Sequence, residues 1–141
     1  FLTNRDMVDL QAFRQDLHRH PEVSGEERET ARRVVEALRP LSPATVITDL
    51  GGHGVAAVFE GSASGPTLLF RAELDALPIE ELSQAAHRST RPGKAHLCGH
   101  DGHMAGLLGL ARLIARRRPA SGRVVLMFQP ARLPTLRSTR M

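Results

Sequence analysis

His96-Leu97-Cys98-Gly99-His100-Asp101-Gly102-His103 holds, in one short stretch, three of the chain's seven histidines, its only cysteine, an aspartate and two glycines. Imidazole, thiolate and carboxylate are the side chains that ligate transition metals. Glycine admits turns that other residues resist, so neighbours in sequence can converge on one ion. A helical pattern follows at once, with Met104, Leu107, Leu108, Ala111, Ile114 and Ala115 on one face. Asp101 is expected to cap that helix. Cys98 and His100 then lie in the loop feeding its N-terminus, where the dipole favours a thiolate. The bland reading is a small buried cysteine among hydrogen-bonded histidines. The density of ligand types favours a metal or nucleophile site.

Upstream, Thr67-Leu68-Leu69-Phe70 is a continuous apolar run, which predicts a strand buried on both faces. It leads straight into Arg71-Ala72-Glu73-Leu74-Asp75-Ala76-Leu77-Pro78. In a strand, Glu73 and Asp75 share one face. Carboxylates at the C-terminal end of a central strand stand where open α/β sheets place their sites. The alternative is a pair of surface carboxylates in a strand-end turn. Thr45–Leu50 and Val55–Phe59 read as earlier strands, divided by Gly51-Gly52, and a turn spans Gly61 to Pro66. Residues 80–95 are polar without a period and read as a loop, with a turn at Pro92-Gly93. Downstream of the helix, Val124–Phe128 is a second buried strand.

Two helices are predicted before the strands. Met7, Leu10, Phe13 and Leu17 give the first over 4–19, and Thr3 with Asp6 forms its capping box. His18 and His20, at its end, read as caps or packing contacts rather than ligands. Ser24 is expected to cap the second helix, with Glu27 completing the box. Ala31, Val34, Val35 and Leu38 form its apolar face, and Pro40 and Pro43 stop it. Helices and strands in this order predict an α/β fold with a mixed sheet flanked by helices.

The composition suits one modest globular domain: 141 residues, 41% hydrophobic and 24% charged. No apolar run approaches membrane-spanning length, and no signal peptide is evident. One cysteine forbids an intrachain disulfide and suits the cytoplasm. The net charge of +4 is largely local, because three of the 19 basic residues lie in the last ten positions, which carry no acid. Arg116-Arg117-Arg118 sits at a helix C-terminus, where cations complement the dipole. No aromatic residues accompany it, which argues against a nucleic-acid surface.

Four segments in order carry a family resemblance: Leu17-His18-Arg19-His20-Pro21-Glu22, Arg71–Ile79, His96–His103 and Phe128-Gln129-Pro130-Ala131. Together they resemble the M20 metallopeptidase/amidohydrolase family, in its branch of hydrolases of N-acyl amino acids, hippurate and auxin conjugates. The resemblance implies a three-layer-type α/β catalytic domain, over residues 1–131, with two divalent metals at the strand ends. Zn²⁺ or Mn²⁺ is expected, and Co²⁺ or Ni²⁺ also suits the donor set. By the same resemblance Cys98 and His100 are metal ligands, and Asp75 orients a ligand from behind. Glu73 lies near the site. His96, Asp101 and His103 are expected to fix the loop by hydrogen bonds. The implied substrates are small N-acyl amino acids, with no nucleic-acid or membrane partner. Complete family members often dimerise through a lid domain.

The resemblance stops at Ala131. The family follows it with two adjacent glutamates, a general base and a metal ligand, where this chain has Arg132 and Leu133. An arginine cannot accept a proton near neutral pH. Residues 132–141 are therefore read as a non-matching tail, from truncation or frameshift. The chain is read as the N-terminal part of the catalytic domain, with the later histidine ligands and the lid domain absent. Hydrolysis by this form is expected to be lost. The alternative is a non-catalytic remnant that holds metal or self-associates, with Val124–Phe128 as an exposed sheet edge.

Overall fold

A computed structural model describes residues 1–130. The tail beginning at Arg132, with Leu133, lies outside the described residues. Helix α1 spans Asn4–Arg19, α2 spans Arg28–Leu38, and a 3₁₀ turn covers Arg39–Leu41. Strands β1 (Thr45–Leu50), β2 (Gly54–Glu60) and β3 (Ala63–Glu73) follow, then α3 (His100–Arg116) and β4 (Ser121–Gln129). The sheet is mixed, in the order β1-β2-β4-β3. β2 runs antiparallel to both β1 and β4, while β3 and β4 are parallel.

Alternation along the strands sets the core. Val55, Ala57 and Phe59 of β2 share a face with Leu126 and Phe128 of β4 and Ala72 of β3, following the register Val55↔Phe128↔Ala72. Leu10 and Leu17 of α1, Val34 and Leu38 of α2, and Met104, Leu107, Leu108 and Ala111 of α3 close over that face. Phe59 and Phe128 are wholly buried. Each such ring contributes about 1.5–3 kcal/mol of apolar transfer.

The N-terminus of α1 behaves as its sequence predicts. The Thr3 hydroxyl accepts from the Asp6 amide, and the Asp6 carboxylate accepts from the Thr3 amide. Asp6 also accepts from Arg116 at 2.5 and 2.6 Å and from Arg112 at 3.1 Å. The Arg116 guanidinium, helped by the Thr3 amide, holds its carboxyl well below the usual range. Arg118 donates to the carbonyls of Leu41 and Ser42. Two cations expected to serve their own helix end thus anchor other segments as well.

Several local expectations are corrected by partners distant in sequence. Ser24 does not cap α2; its hydroxyl donates to Asp75 Oδ2 at 3.1 Å. The helix starts at Arg28, and its first amides are met by Glu22, whose carboxylate accepts from the Glu29 amide and from the amide and hydroxyl of Thr30. Asp101 does not cap α3 either. Gly99 takes the N-cap position at φ +91°, a left-handed conformation suited to glycine, and Asp101 turns inward. The turn expected over Gly61–Pro66 is shorter, because Ala63 already opens β3.

The largest correction concerns the strands. Leu68, Leu69 and Phe70 are 53%, 56% and 43% exposed, so Thr67–Phe70 is not buried on both faces. β4 returns through α3 and inserts between β2 and β3, leaving β3 with a single neighbour at the edge of the described sheet. Pro66 fits there, since a proline cannot donate to a ladder. The exposed edge expected at Val124–Phe128 therefore falls on β3, while β4 is interior.

Candidate metal centre

Strand β3 ends at Glu73, and the chain continues through Leu74, buried in the core, to Asp75. The Leu74 amide donates to the carbonyl of Gln129, which holds this exit against the end of β4. Helix α3 begins opposite, so that His100 meets the strand end. Its Nδ1 lies 2.9 Å from the Asp75 carbonyl oxygen and 3.2 Å from Asp75 Oδ1. Its Nε2 lies 2.8 Å from Glu73 Oε2. Donor atoms of Glu73, Asp75 and His100 all fall within 4.8 Å of one another, and all three residues are partly accessible.

The donor chemistry suits a divalent cation. A neutral imidazole has one N–H, yet His100 faces oxygen acceptors at both nitrogens. A divalent cation held by Nε2 and Glu73 would suit this pairing of donors. The Asp75 carbonyl lies at Nδ1 and leaves Nε2 facing Glu73; a carbonyl on the other ring nitrogen is the usual second partner of a metal-binding histidine. Cys98, two residues before α3, is exposed and stands outside the group of three. Glu73, expected only to lie near the site, stands inside it.

Behind this group lies a buried ionic cluster that the sequence reading missed. His18, on the last turn of α1, is 5% exposed. Its Nδ1 donates to Asp101 Oδ2 at 2.8 Å, and its Nε2 donates to the Glu81 carboxylate at 3.0 and 3.1 Å. Arg14 Nε lies 3.4 Å from the same Asp101 oxygen. Arg14 and His18 stand four residues apart, on one stripe of α1; that spacing was the available signal. Glu81, in the polar loop, offered none. His20 does act as a cap, donating from Nδ1 to the Asp16 carbonyl at 2.8 Å.

Burial opposes a charge on His18, but Glu81 and Asp101 together outweigh it and raise its pKa above 6.5. Burial likewise opposes the charge on Glu81, yet His18 and the Ser89 amide pull it down to about 2. The cluster therefore stabilises the fold fully below the unfolded histidine pKa of 6.5. That contribution is lost as pH rises through the higher folded value. Urea unfolding between pH 6 and 9 is expected to show stability falling with pH in the wild type. His18→Gln is expected to lack that component of the slope; identical slopes would refute the assignment.

His96 departs from expectation. It is 3% exposed, and neither ring nitrogen has a hydrogen-bond partner among the described residues. Burial pushes its pKa down to about 4, which keeps the ring neutral. His103 is exposed, its ring 6.2 Å from that of His100. Of the three residues expected to fix the loop by hydrogen bonds, Asp101 does so.

A mixed sheet with helices packed on it, and a carboxylate–imidazole group at the end of a parallel strand, define an α/β protein with a candidate metal site. Residues 69–131 match Peptidase family M20/M25/M40. The chain is 39% identical over 120 residues to an N-acetylcysteine deacetylase of Bacillus subtilis, covering 84% of this chain and 32% of that protein. It is 37% identical over 125 residues to IAA-amino acid hydrolase ILR1-like 5 of Arabidopsis thaliana, covering 84% and 27%. In structure it matches the Bacillus subtilis YXEP protein, described as a dinuclear metal binding peptidase from the M20 family. The TM-score is 0.86 at 36% identity, covering 92% of this chain and 36% of that one. The chain is similar to M20-family proteins over most of its length, and it spans about a third of the length of the curated relatives it matches. No helix among the described residues is long and apolar enough to cross a membrane.

Proposed function

We propose that this chain carries part of the metal centre of a hydrolase that cleaves the amide bond of N-acyl amino acids. The observation that carries the reading is His100, held through Nδ1 by Asp75 with Nε2 turned to Glu73. Cys98 and His100 are the proposed ligands from the α3 side, and Glu73 is an added candidate donor. Asp75 keeps His100 in one tautomer and one orientation. A divalent ion, Zn²⁺ or Mn²⁺, supplies an activated water and a polarised scissile carbonyl when bound. The substrate class follows the relatives, one named for N-acetylcysteine and another for IAA-amino acid.

In residues 1–131 this reading is of a catalytic domain; residues 132–141 are proposed as a tail without a counterpart in the family. Arg132 stands where the resemblance places a general base, so the 141-residue chain is expected to bind metal and to hydrolyse poorly. The test is Zn²⁺ and Mn²⁺ titration by calorimetry, followed by hydrolysis of N-acetylcysteine beside the Bacillus subtilis deacetylase. Stoichiometric binding with turnover at least about a hundredfold below the relative is expected, since general acid–base groups contribute at least that much. No metal binding sinks the metal centre. Turnover within tenfold of the relative sinks the role given to position 132.

A further inference from the structure

We infer that His18 is a positioning residue for the metal centre, acting through the clamp it forms between Asp101 and Glu81. The inference rests on the metal-centre reading of His100 above. Three segments meet at one imidazole: the end of α1 through His18, the first turn of α3 through Asp101, and the coil after β3 through Glu81. The side chains of His18, Glu81 and Asp101 are 7%, 6% and 1% exposed. Asp101 follows His100 directly, so fixing one carboxylate fixes the start of the helix that presents the ligand.

That helix start is held by side chains: His100 by the Asp75 carbonyl and Glu73, and Asp101 by His18 and Arg14. Gly99 offers no side-chain cap, and the first turn depends on inward contacts. Glu81 extends the clamp into the coil that leads to Cys98, because its carboxylate also accepts from the Ser89 amide and the Ser83 hydroxyl, each at 2.7 Å. One buried cation thus sets both proposed ligands against Glu73 and Asp75. Without it, Asp101 keeps Arg14 at 3.4 Å, while Glu81 keeps the neutral donors of Ser89 and Ser83. A buried charge that loses its partner moves toward water. Movement of Asp101 turns the first turn of α3, and movement of Glu81 frees the coil.

The test uses the 141-residue chain and Co²⁺ alone, read by its visible absorption, which reports ligand geometry. His18→Gln is expected to weaken Co²⁺ binding about tenfold, in the range of supporting partners of metal ligands, and to change the band positions. Glu81→Gln is expected to act in the same direction and carries the test if His18→Gln does not fold. Leu17→Ala, a neighbouring core truncation, is the structural control: it should lower the melting temperature and leave the spectrum unchanged. Wild-type spectrum and affinity in both clamp variants overturn this inference and leave the metal centre standing. Absence of Co²⁺ binding by the wild type overturns the metal centre and the inference with it.

Discussion

His100→Ala is expected to reduce divalent-metal affinity by at least about a hundredfold, more than the tenfold to hundredfold typical of losing a supporting partner. The imidazole is the only nitrogen donor in the group of three, and it lies between the two carboxylates. Removing it leaves Glu73 and Asp75 with like charges at the end of β3 and no nitrogen to complete a site. It also frees the Asp75 carbonyl from its bond to Nδ1. The fold should survive, because His100 is partly exposed and lies outside the core. Calorimetric titration with Zn²⁺, beside circular dichroism to show an intact fold, decides the matter. Affinity equal to wild type would remove His100 from the centre and leave the observed geometry as a simple ion pair.

Phe128→Ala is expected to cost about 3–5 kcal/mol, as for other buried aromatic truncations. Such a loss takes up much of the stability available to a domain of this size. The ring is wholly buried, and its residue pairs with Val55 on one side and Ala72 on the other. Ala72 precedes Glu73, so the cavity opens directly beneath the strand end that carries the candidate donor. Chemical denaturation should show a lower midpoint with an unchanged slope, and metal binding should weaken in parallel. A loss under 1 kcal/mol would mean that β4 is not the central strand.

β4 is also where sequence and structure part. Val124–Phe128 reads as a strand from its own residues, and it is one. Its place between β2 and β3 depends on how a chain returning through α3 is accommodated, and no local pattern encodes that. The same run of apolar residues at Thr67–Phe70 suits a central strand or an edge that awaits a neighbour, and pattern alone cannot separate them. Glu22 illustrates the point on a smaller scale. It serves the α2 amides from outside the helix, while the nearer Ser24, the expected cap, is drawn to Asp75.

The sequence by itself determined the helices, the strands and the stretch that carries the chemistry. Periodicity, caps and glycine turns act over a few residues, and so do the ligand types packed between His96 and His103. It also carried the resemblance to the M20 family, through four short segments in fixed order. Only the tertiary structure decided that Glu73 joins His100, that His96 is buried without a hydrogen-bond partner among the described residues, and that His18 is ion-paired rather than a cap or a simple packing contact. Those outcomes depend on which groups far apart in the chain share a low-dielectric interior. There, a charge needs a partner and a polar atom without one is costly. Sequence spacing does not report that proximity.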